Sequence, residues 1–273
     1  MKYREVTFIY QPLKPWSEIL VAFLSELDFE TFEEIKQGLR AYIKEDNFNF
    51  SKINSICKQL DCKIDIKHKV IIQENWNEKW ESDFQPIVIG NKCGIRADFH
   101  EPLNVKYEIV INPKMSFGTG HHATTCGMID AMLYMDFKEK KVLDMGCGTG
   151  VLAILANQLG SKKIDAIDID DWAYNNALEN IRMNSSSNIV VHKGGKEKIE
   201  GNYDIILANI NRNILIQDMC EYSCNLHQNG LVLFSGFYEQ DLYLIKQEAN
   251  RQRLKYISHN TKNNWVTVKF KKI

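Results

Sequence analysis

The 273-residue sequence lacks several features that would assign it to a class. Its seven cysteines, Cys57, Cys62, Cys93, Cys126, Cys147, Cys220 and Cys224, are odd in number, and no Cys-x-x-Cys pair occurs among them. That argues against a disulfide framework and a zinc site, and points to reduced thiols in a cytoplasm. The opening residues, MKYREVTFIYQP, hold no basic segment followed by an apolar one, so they do not read as a signal peptide. No apolar run approaches the ~20 residues that a membrane-spanning helix requires. Positive charge is not in excess either. Lys and Arg number 34 against 35 Asp and Glu, a formal net charge of -1. Wholesale nucleic-acid binding draws on a basic surplus that neutralises phosphates. A cytoplasmic protein with no membrane or direct nucleic-acid binding is therefore expected.

What is present is ordinary for a globular chain: 44% hydrophobic and 25% charged residues. Such a chain buries a core without staples. Tyr3 to Tyr10 is rich in β-branched and aromatic residues and reads as a strand. Pro15 suits a helix start, and Ile19, Leu20, Phe23, Leu24 and Leu27 recur at helical spacing. Phe29 to Glu33 and Leu39 to Ile43 read as strands around a turn at Gly38. Ser51 is a candidate N-cap for a helix over Ile53 to Leu60, and Ile64 to Ile72 reads as a further strand. The order β-α-β-β-α-β matches a ferredoxin-like α+β unit over residues 1–72.

Residues 73–86 are polar, with Trp76 and Trp80 spaced to share a helix face. They read as a helical linker. Over residues 87–273, strands alternate with helices, the pattern of a mostly parallel sheet covered on both faces. Expected strands are Ile87 to Ile89, Tyr107 to Ile111, Lys141 to Asp144, Ile164 to Ile169, Ile189 to His192, Tyr203 to Ala208 and Leu231 to Ser235. Expected helices include Val151 to Leu159, Trp172 to Met183 and Ile214 to Leu226.

The central motif is KKVLDMGCGTGVLAILANQLG. An apolar strand ends at Asp144. A loop with Gly146, Gly148 and Gly150 follows, and an apolar helix starts at Val151. Glycine lets the backbone turn sharply and a ligand come close. The helix start offers free N–H groups that suit a carboxylate. A dinucleotide site would want G-x-G-x-x-G. The spacing here is D-x-G-x-G-x-G, which resembles the first motif of class I methyltransferases. Asp168 ends the next strand about 20 residues further on, where a carboxylate can accept from both hydroxyls of a ribose. Asp170 and Asp171 read as helix-capping acids instead.

Upstream lies INPKMSFGTGHHATT, Ile111 to Thr125, and downstream YDIILANINRNIL, Tyr203 to Leu215. Together with ENWNEKWESDFQPIVIG, these resemble the ribosomal protein L-eleven methyltransferases, the PrmA family, over the whole chain. The resemblance implies a ferredoxin-like substrate-recognition domain joined by a helical linker to a Rossmann-like class I methyltransferase domain with a seven-stranded, mostly parallel sheet. It implies S-adenosylmethionine as cofactor and ribosomal protein L-eleven as substrate, methylated at lysine side chains and at the α-amino group. Carried over by motif, the ligand positions are Thr125, Gly146, Asp168 and Asn209, with Asp144, Gly148, Phe117 and Gly118 lining the same loops. The family usually has threonine at His121, proline at Ala123, D-P-G at Asn112-Pro113-Lys114 and Asn-Ile-Leu at Asn209-Ile210-Asn211. These departures bear on which amines are modified.

Methyl transfer to an amine is an in-line displacement that needs a neutral nitrogen, so the rate should rise with pH. Asn209 is the catalytic candidate, its side-chain oxygen accepting a hydrogen bond from the incoming amine. The alternative for Asn209 is an asparagine that steadies its own turn. His121 and His122 are adjacent and read as loop and helix-start residues, with no metal site. Cys147 reads as a small space-filler. Trp172 and Tyr174 are candidates for packing near adenine or in the core. Other readings are a methyltransferase of the same fold acting on another protein, RNA or a small molecule, a non-catalytic binding module, and a nicotinamide dehydrogenase. N-P-P-Y, expected for glutamine or nucleobase amino groups, is absent at Asn209 to Arg212.

Overall fold

The computed structural model describes residues 3–71, 84–112 and 118–273. The chain divides into two units, Met1–Trp80 and Glu81–Ile273. The first unit holds strands β1 (Tyr3–Ile9), β2 (Thr31–Ile35), β3 (Gly38–Lys44) and β4 (Asp65–Ile71), with helices α1 (Trp16–Ser25) and α2 (Phe50–Gln59). Its sheet order is β2-β3-β1-β4, and every neighbouring pair is antiparallel. This is the ferredoxin-like order that β-α-β-β-α-β connectivity produces. Val6 and Phe8 alternate inward on β1 and pack with Leu20 and Leu24 of α1 and Ile53 of α2.

The cap of α2 falls at Asn49 rather than at the expected Ser51. Asn49 is extended (φ -133°, ψ 99°) and its side chain accepts from the Lys52 N–H. Ser51 already lies in the first turn. The short asparagine side chain reaches an orphan amide two residues before the apolar periodicity becomes visible. The expected linker helix, with Trp76 and Trp80, lies outside the described residues apart from 84–86, which take no regular structure.

The second unit begins with a three-stranded sheet, β5 (Ile87–Ile89), β6 (Cys93–Ala97) and β7 (Tyr107–Ile111). The strand β6 was not expected, because CGIRA has no clean alternation. A seven-stranded sheet follows: β8 (Lys141–Met145), β9 (Lys163–Asp168), β10 (Ile189–Lys193), β11 (Tyr203–Asn209), β12 (Leu226–Tyr238), β13 (Leu254–Lys262) and β14 (Trp265–Lys272). Its order is β10-β9-β8-β11-β12-β14-β13. The first five are parallel, while β14 runs antiparallel to both β12 and β13. The helices are α3 (Ala123–Met132), α4 (Val151–Gln158), α5 (Asp171–Met183), α6 (Arg212–Cys224) and α7 (Leu242–Arg251).

Alternation along the strands sorts their side chains into two cores. Val142, Ile205, Leu207 and Leu233 pack with residues of α3, α4 and α5. Leu143, Ile206, Ala208, Val232 and Phe234 pack with α6 and α7 on the other face. The expected helix over Ile214 to Leu226 instead runs from Arg212 to Cys224. The Asn211 side chain caps it early by accepting from Ile214 N–H at 3.1 Å. At its far end Leu226 pairs with Tyr203 and belongs to β12. Among the described residues no helix is long and apolar enough to cross a membrane.

One crossing positions the site. Strand β12 shifts register between Ser235 and Phe237. At that point Gly236 has φ +98°, and a Cβ there would fall 2.1 Å from the Ile210 carbonyl oxygen. Only glycine lets the turn after β11 lie against β12. Gly236→Ala is expected to lower the unfolding free energy by at least ~2 kcal/mol, strain and collision acting together. Chemical denaturation measures this, and a wild-type midpoint would show that the crossing tolerates a side chain.

Candidate active site

The C-terminal ends of β8, β9, β11 and β12 meet at one edge of the sheet. The chain's crossovers diverge between β8 and β11, which is where open α/β sheets bind ligands. The glycine loop after β8 is held by the neighbouring strand: Gly146 N and Cys147 N donate to Ile167 O at 2.8 and 3.1 Å. Gly146, Gly148 and Gly150 all have positive φ, at 70°, 55° and 77°. A Cβ on Gly146 would fall 2.3 Å from Ile210 Cγ2, so the loop and the turn after β11 approach each other closely.

Asp168, half-buried at the end of β9, ties this loop down. Its Oδ2 accepts from Gly148 N at 2.8 Å and its Oδ1 from Asp170 N at 3.0 Å. Each carboxylate oxygen keeps a further acceptor position. Asp170 caps α5 by accepting from Trp172 N at 2.7 Å and Ala173 N at 3.1 Å. Asp171 pairs with Lys193 at 2.5 Å. Trp172 is 76% exposed, which removes a core role. Tyr174 is half-buried.

Asp144 is fully buried. Its Oδ2 accepts from Ala153 N at 3.1 Å, in the first turn of α4, and its Oδ1 has no partner. Burial pushes its carboxyl up to about 7, and the negative charge of Asp168 adds to the shift. Cys147, also buried, has its thiol pushed far up by the same cause, which leaves it a poor nucleophile.

Thr125 and Asn209 are brought together from residues 84 positions apart. Thr125 lies fully buried on α3, and its hydroxyl accepts from Asn209 Nδ2 at 3.4 Å. With its nitrogen so engaged, Asn209 Oδ1 is left buried without a partner. Gly118 joins the same assembly, because its carbonyl accepts from the Thr149 hydroxyl at 2.8 Å. Phe117 lies outside the described residues. His122 caps α3, its Nδ1 accepting from Thr124 N at 3.3 Å. His121 is exposed, and its Nε2 lies 2.9 Å from Gln85 O.

Sequence reasoning missed the side chains that hold these loops. Asn176 and Asn180 lie four apart on α5, and Asn184, four further on, is its C-cap. Asn180 Nδ2 donates to Thr149 O at 2.9 Å, while its Oδ1 accepts from Asn112 N at 2.8 Å. Asn176 Nδ2 donates to Asn112 O at 3.2 Å. Asn184 brackets Val110, donating to its oxygen at 2.6 Å and accepting from its nitrogen at 2.9 Å. Asparagine repeating on one helix face was the available signal. A polar stripe facing inward is informative because burying amides requires partners.

The family model described as Ribosomal protein L11 methyltransferase (PrmA) matches residues 21–273. The chain is 43% identical over 278 residues to the ribosomal protein L11 methyltransferase of Phocaeicola vulgatus, covering 99% of both chains. It is 36% identical over 266 residues to the Chlorobaculum tepidum protein of that name, covering 92% of this chain and 90% of that one. A solved structure, the ribosomal protein L11 methylase from Lactobacillus delbrueckii subsp. bulgaricus, covers 70% of this chain and 100% of its own, with a TM-score of 0.64 and 27% identity.

The sheet, its glycine loop and the acid on the following strand are those of a class I methyltransferase. Within that class, the chain belongs to the ribosomal protein L11 methyltransferase (PrmA) family.

The buried Asp144 makes stability depend on pH. Its carboxyl is raised from the ordinary value of 3.8 to about 7. The folded form therefore holds a proton that the unfolded form has released between those values. The resulting stabilisation is complete below pH about 4 and is lost as pH rises through about 7. Asp144→Asn should remove this slope, amounting to a few kcal/mol on the order-of-magnitude scale. Denaturation midpoints from pH 4 to 8 measure it, and parallel curves for the two proteins would contradict a raised acid.

Proposed function

We propose that this protein transfers methyl groups from S-adenosylmethionine to amines of ribosomal protein L11, at lysine side chains and at the N-terminal α-amino group. The observation that carries this reading is Asn209 Oδ1, a buried acceptor without a partner at the ligand-binding edge of the sheet. An unsatisfied buried amide oxygen is costly, and a ligand N–H is what would complete it. The relatives' name supplies the acceptor protein.

The residues fit the donor. Asp168 keeps acceptor capacity for the two ribose hydroxyls. The loop at Gly146 and Gly148 presents bare backbone. The start of α4 suits the donor's carboxylate, and we assign Phe117, Gly118 and Thr125 to cofactor binding on the resemblance to the family. S-adenosylmethionine, when bound, supplies a methyl group on a sulfonium whose sulfur leaves with the bonding electrons. The protein's own part is to align and to shield. Thr125 holds the amide of Asn209 so that Oδ1 faces the incoming nitrogen. That oxygen accepts one N–H and leaves the lone pair aimed along the transfer axis. Asp144, beneath the loop, fixes the first turn of α4 through Ala153 N. The proton that the ammonium must lose goes to water before attack.

We assign residues 1–72 to substrate recognition, 73–86 to the linker and 87–273 to catalysis. We place the reaction in the cytoplasm. Direct contact with membrane or nucleic acid forms no part of this proposal.

The test is transfer of labelled methyl groups to purified large-subunit ribosomal proteins. Label should fall on L11. Asp168→Ala should weaken cofactor binding about 100-fold, since it removes charge-assisted hydrogen bonds. Label on RNA or on another protein alone would overturn the assigned substrate. Asn209→Ala should lower kcat about 100-fold with a nearly unchanged melting temperature, while unchanged turnover would remove it from the site. Single-turnover rates should rise between pH 7 and 9 as the acceptor amine loses its proton. A flat profile would count against a neutral amine as the attacking group.

A further inference from the structure

Helix α6 carries a pair of cysteines on its outer face. Cys220 and Cys224 are free and exposed, while Cys57, Cys93, Cys126 and Cys147 are buried and Cys62 is half-buried. The two lie four residues apart, so their side chains project from one side of the helix. Leu215, Met219 and Tyr222 turn the opposite side into the core. The end of the helix is held in place. Asn225 donates through N and Nδ2 to Glu221 O, at 3.1 and 2.9 Å. Ser223 Oγ donates to Gln252 O at 2.6 Å. Lys272 Nζ donates to Ser223 O and Leu226 O at 2.6 and 2.7 Å. The last turn therefore keeps its form, and the two thiols keep their spacing.

That spacing decides what the pair can hold. Cβ atoms four residues apart on a helix are roughly 5–6 Å apart, whereas a disulfide brings them to about 3.5–4.5 Å. Closing one would unwind the fixed turn. Two metal–sulfur bonds in line, each about 2.3 Å as at zinc, set the sulfurs ~4.6 Å apart and suit the helix as it stands. Among the described residues no three of His, Cys, Asp and Glu gather as a metal site, so a four-coordinate ion lacks its other ligands. Soft thiolates select Cu(I), which is satisfied by two of them. The surroundings favour a cation, because the helix presents its negative, carbonyl end there. A hydrogen bond to Cys224 raises the Cys220 thiol, and the charges of Glu221 and Glu248 add to the shift. Cys220 therefore keeps its proton at neutral pH and is a weak nucleophile until a metal displaces it.

We propose that Cys220 and Cys224 form a surface site for one Cu(I) ion, bound in line between the two sulfurs. The ion forms two metal–sulfur bonds, and each thiol releases its proton to water. No electron is transferred. The site uses no residue of the proposed methyl-transfer site, so the two readings stand or fall separately.

The test is competition for Cu(I), in the absence of oxygen, between the reduced full-length protein and the chromophoric chelator bathocuproine disulfonate. The wild type should withdraw one equivalent of the ion. Cys220→Ser and Cys224→Ser should each weaken this binding about 100-fold, since the second thiol acts at a high effective concentration. Cys62→Ser should bind as the wild type does. X-ray absorption of the loaded wild type should show two sulfur neighbours alone. Cu(I) should also raise the melting temperature of the wild type and not of Cys220→Ser or Cys224→Ser. No withdrawal by the wild type, equal binding by either of those variants, loss of binding in Cys62→Ser, or a third ligand would overturn the assignment. If a serine variant fails to fold, alkylation of the wild type loaded with Ag(I) decides. Joint protection of Cys220 and Cys224, mapped by mass spectrometry, supports the site, and free alkylation of either overturns it.

Discussion

Five parallel strands with helices on both faces force every crossover to return behind the sheet, so their C-terminal ends arrive together at one edge. Everything else in the second unit depends on that constraint. Apolar side chains fill both cores, and the polar groups with nothing to bury are left where the strands stop. Asp144, Asp168 and Asn209 all lie within the last residues of their strands. All three also face the helix layer formed by α3, α4 and α5, because strand alternation puts them on the side of Val142, Ala166 and Leu207.

At that edge the protein uses its backbone as its main material. Asp168 accepts two backbone amides and so holds the glycine loop while remaining open to a further donor. Thr149 reaches from that loop to Gly118, and Asn180 reaches from α5 to Thr149. The loops are thus linked by hydrogen bonds between segments far apart in the chain rather than by apolar packing. Such a network is demanding, since a buried amide without a partner costs more than the bond it forgoes. Among the buried oxygens without a partner, those of Asp144 and Asn209 lie at the C-terminal ends of their strands, and there they are informative where the satisfied ones are not.

Much of this was legible in the chain. The D-x-G-x-G-x-G loop, the acid on the next strand and LANIN after an apolar strand are local patterns, and local patterns are fixed by local backbone demands. The strands Ile87 to Ile89 and Tyr107 to Ile111 were readable for the same reason. Helix ends were less so: Asn49 and Asn211 cap earlier than the apolar period suggests, because caps depend on one side chain and not on a repeat. The strand β13 was missed because it is the edge strand and nearly all of its side chains are exposed, whereas β14, with Val266, Val268 and Phe270 alternating inward, was legible and was not read.

The sequence by itself determined the class of fold, the glycine loop and the acid that ends the strand after it, because each requires particular residues at short, regular separations. Only the tertiary structure decided that Thr125 meets Asn209, that asparagines four apart along and at the end of α5 hold the neighbouring loops, and that Trp265, Tyr238 and His122 meet in one aromatic cluster. Those relations join positions tens of residues apart, set by strand register and by which face alternation turns inward, and register is a property of the assembled sheet.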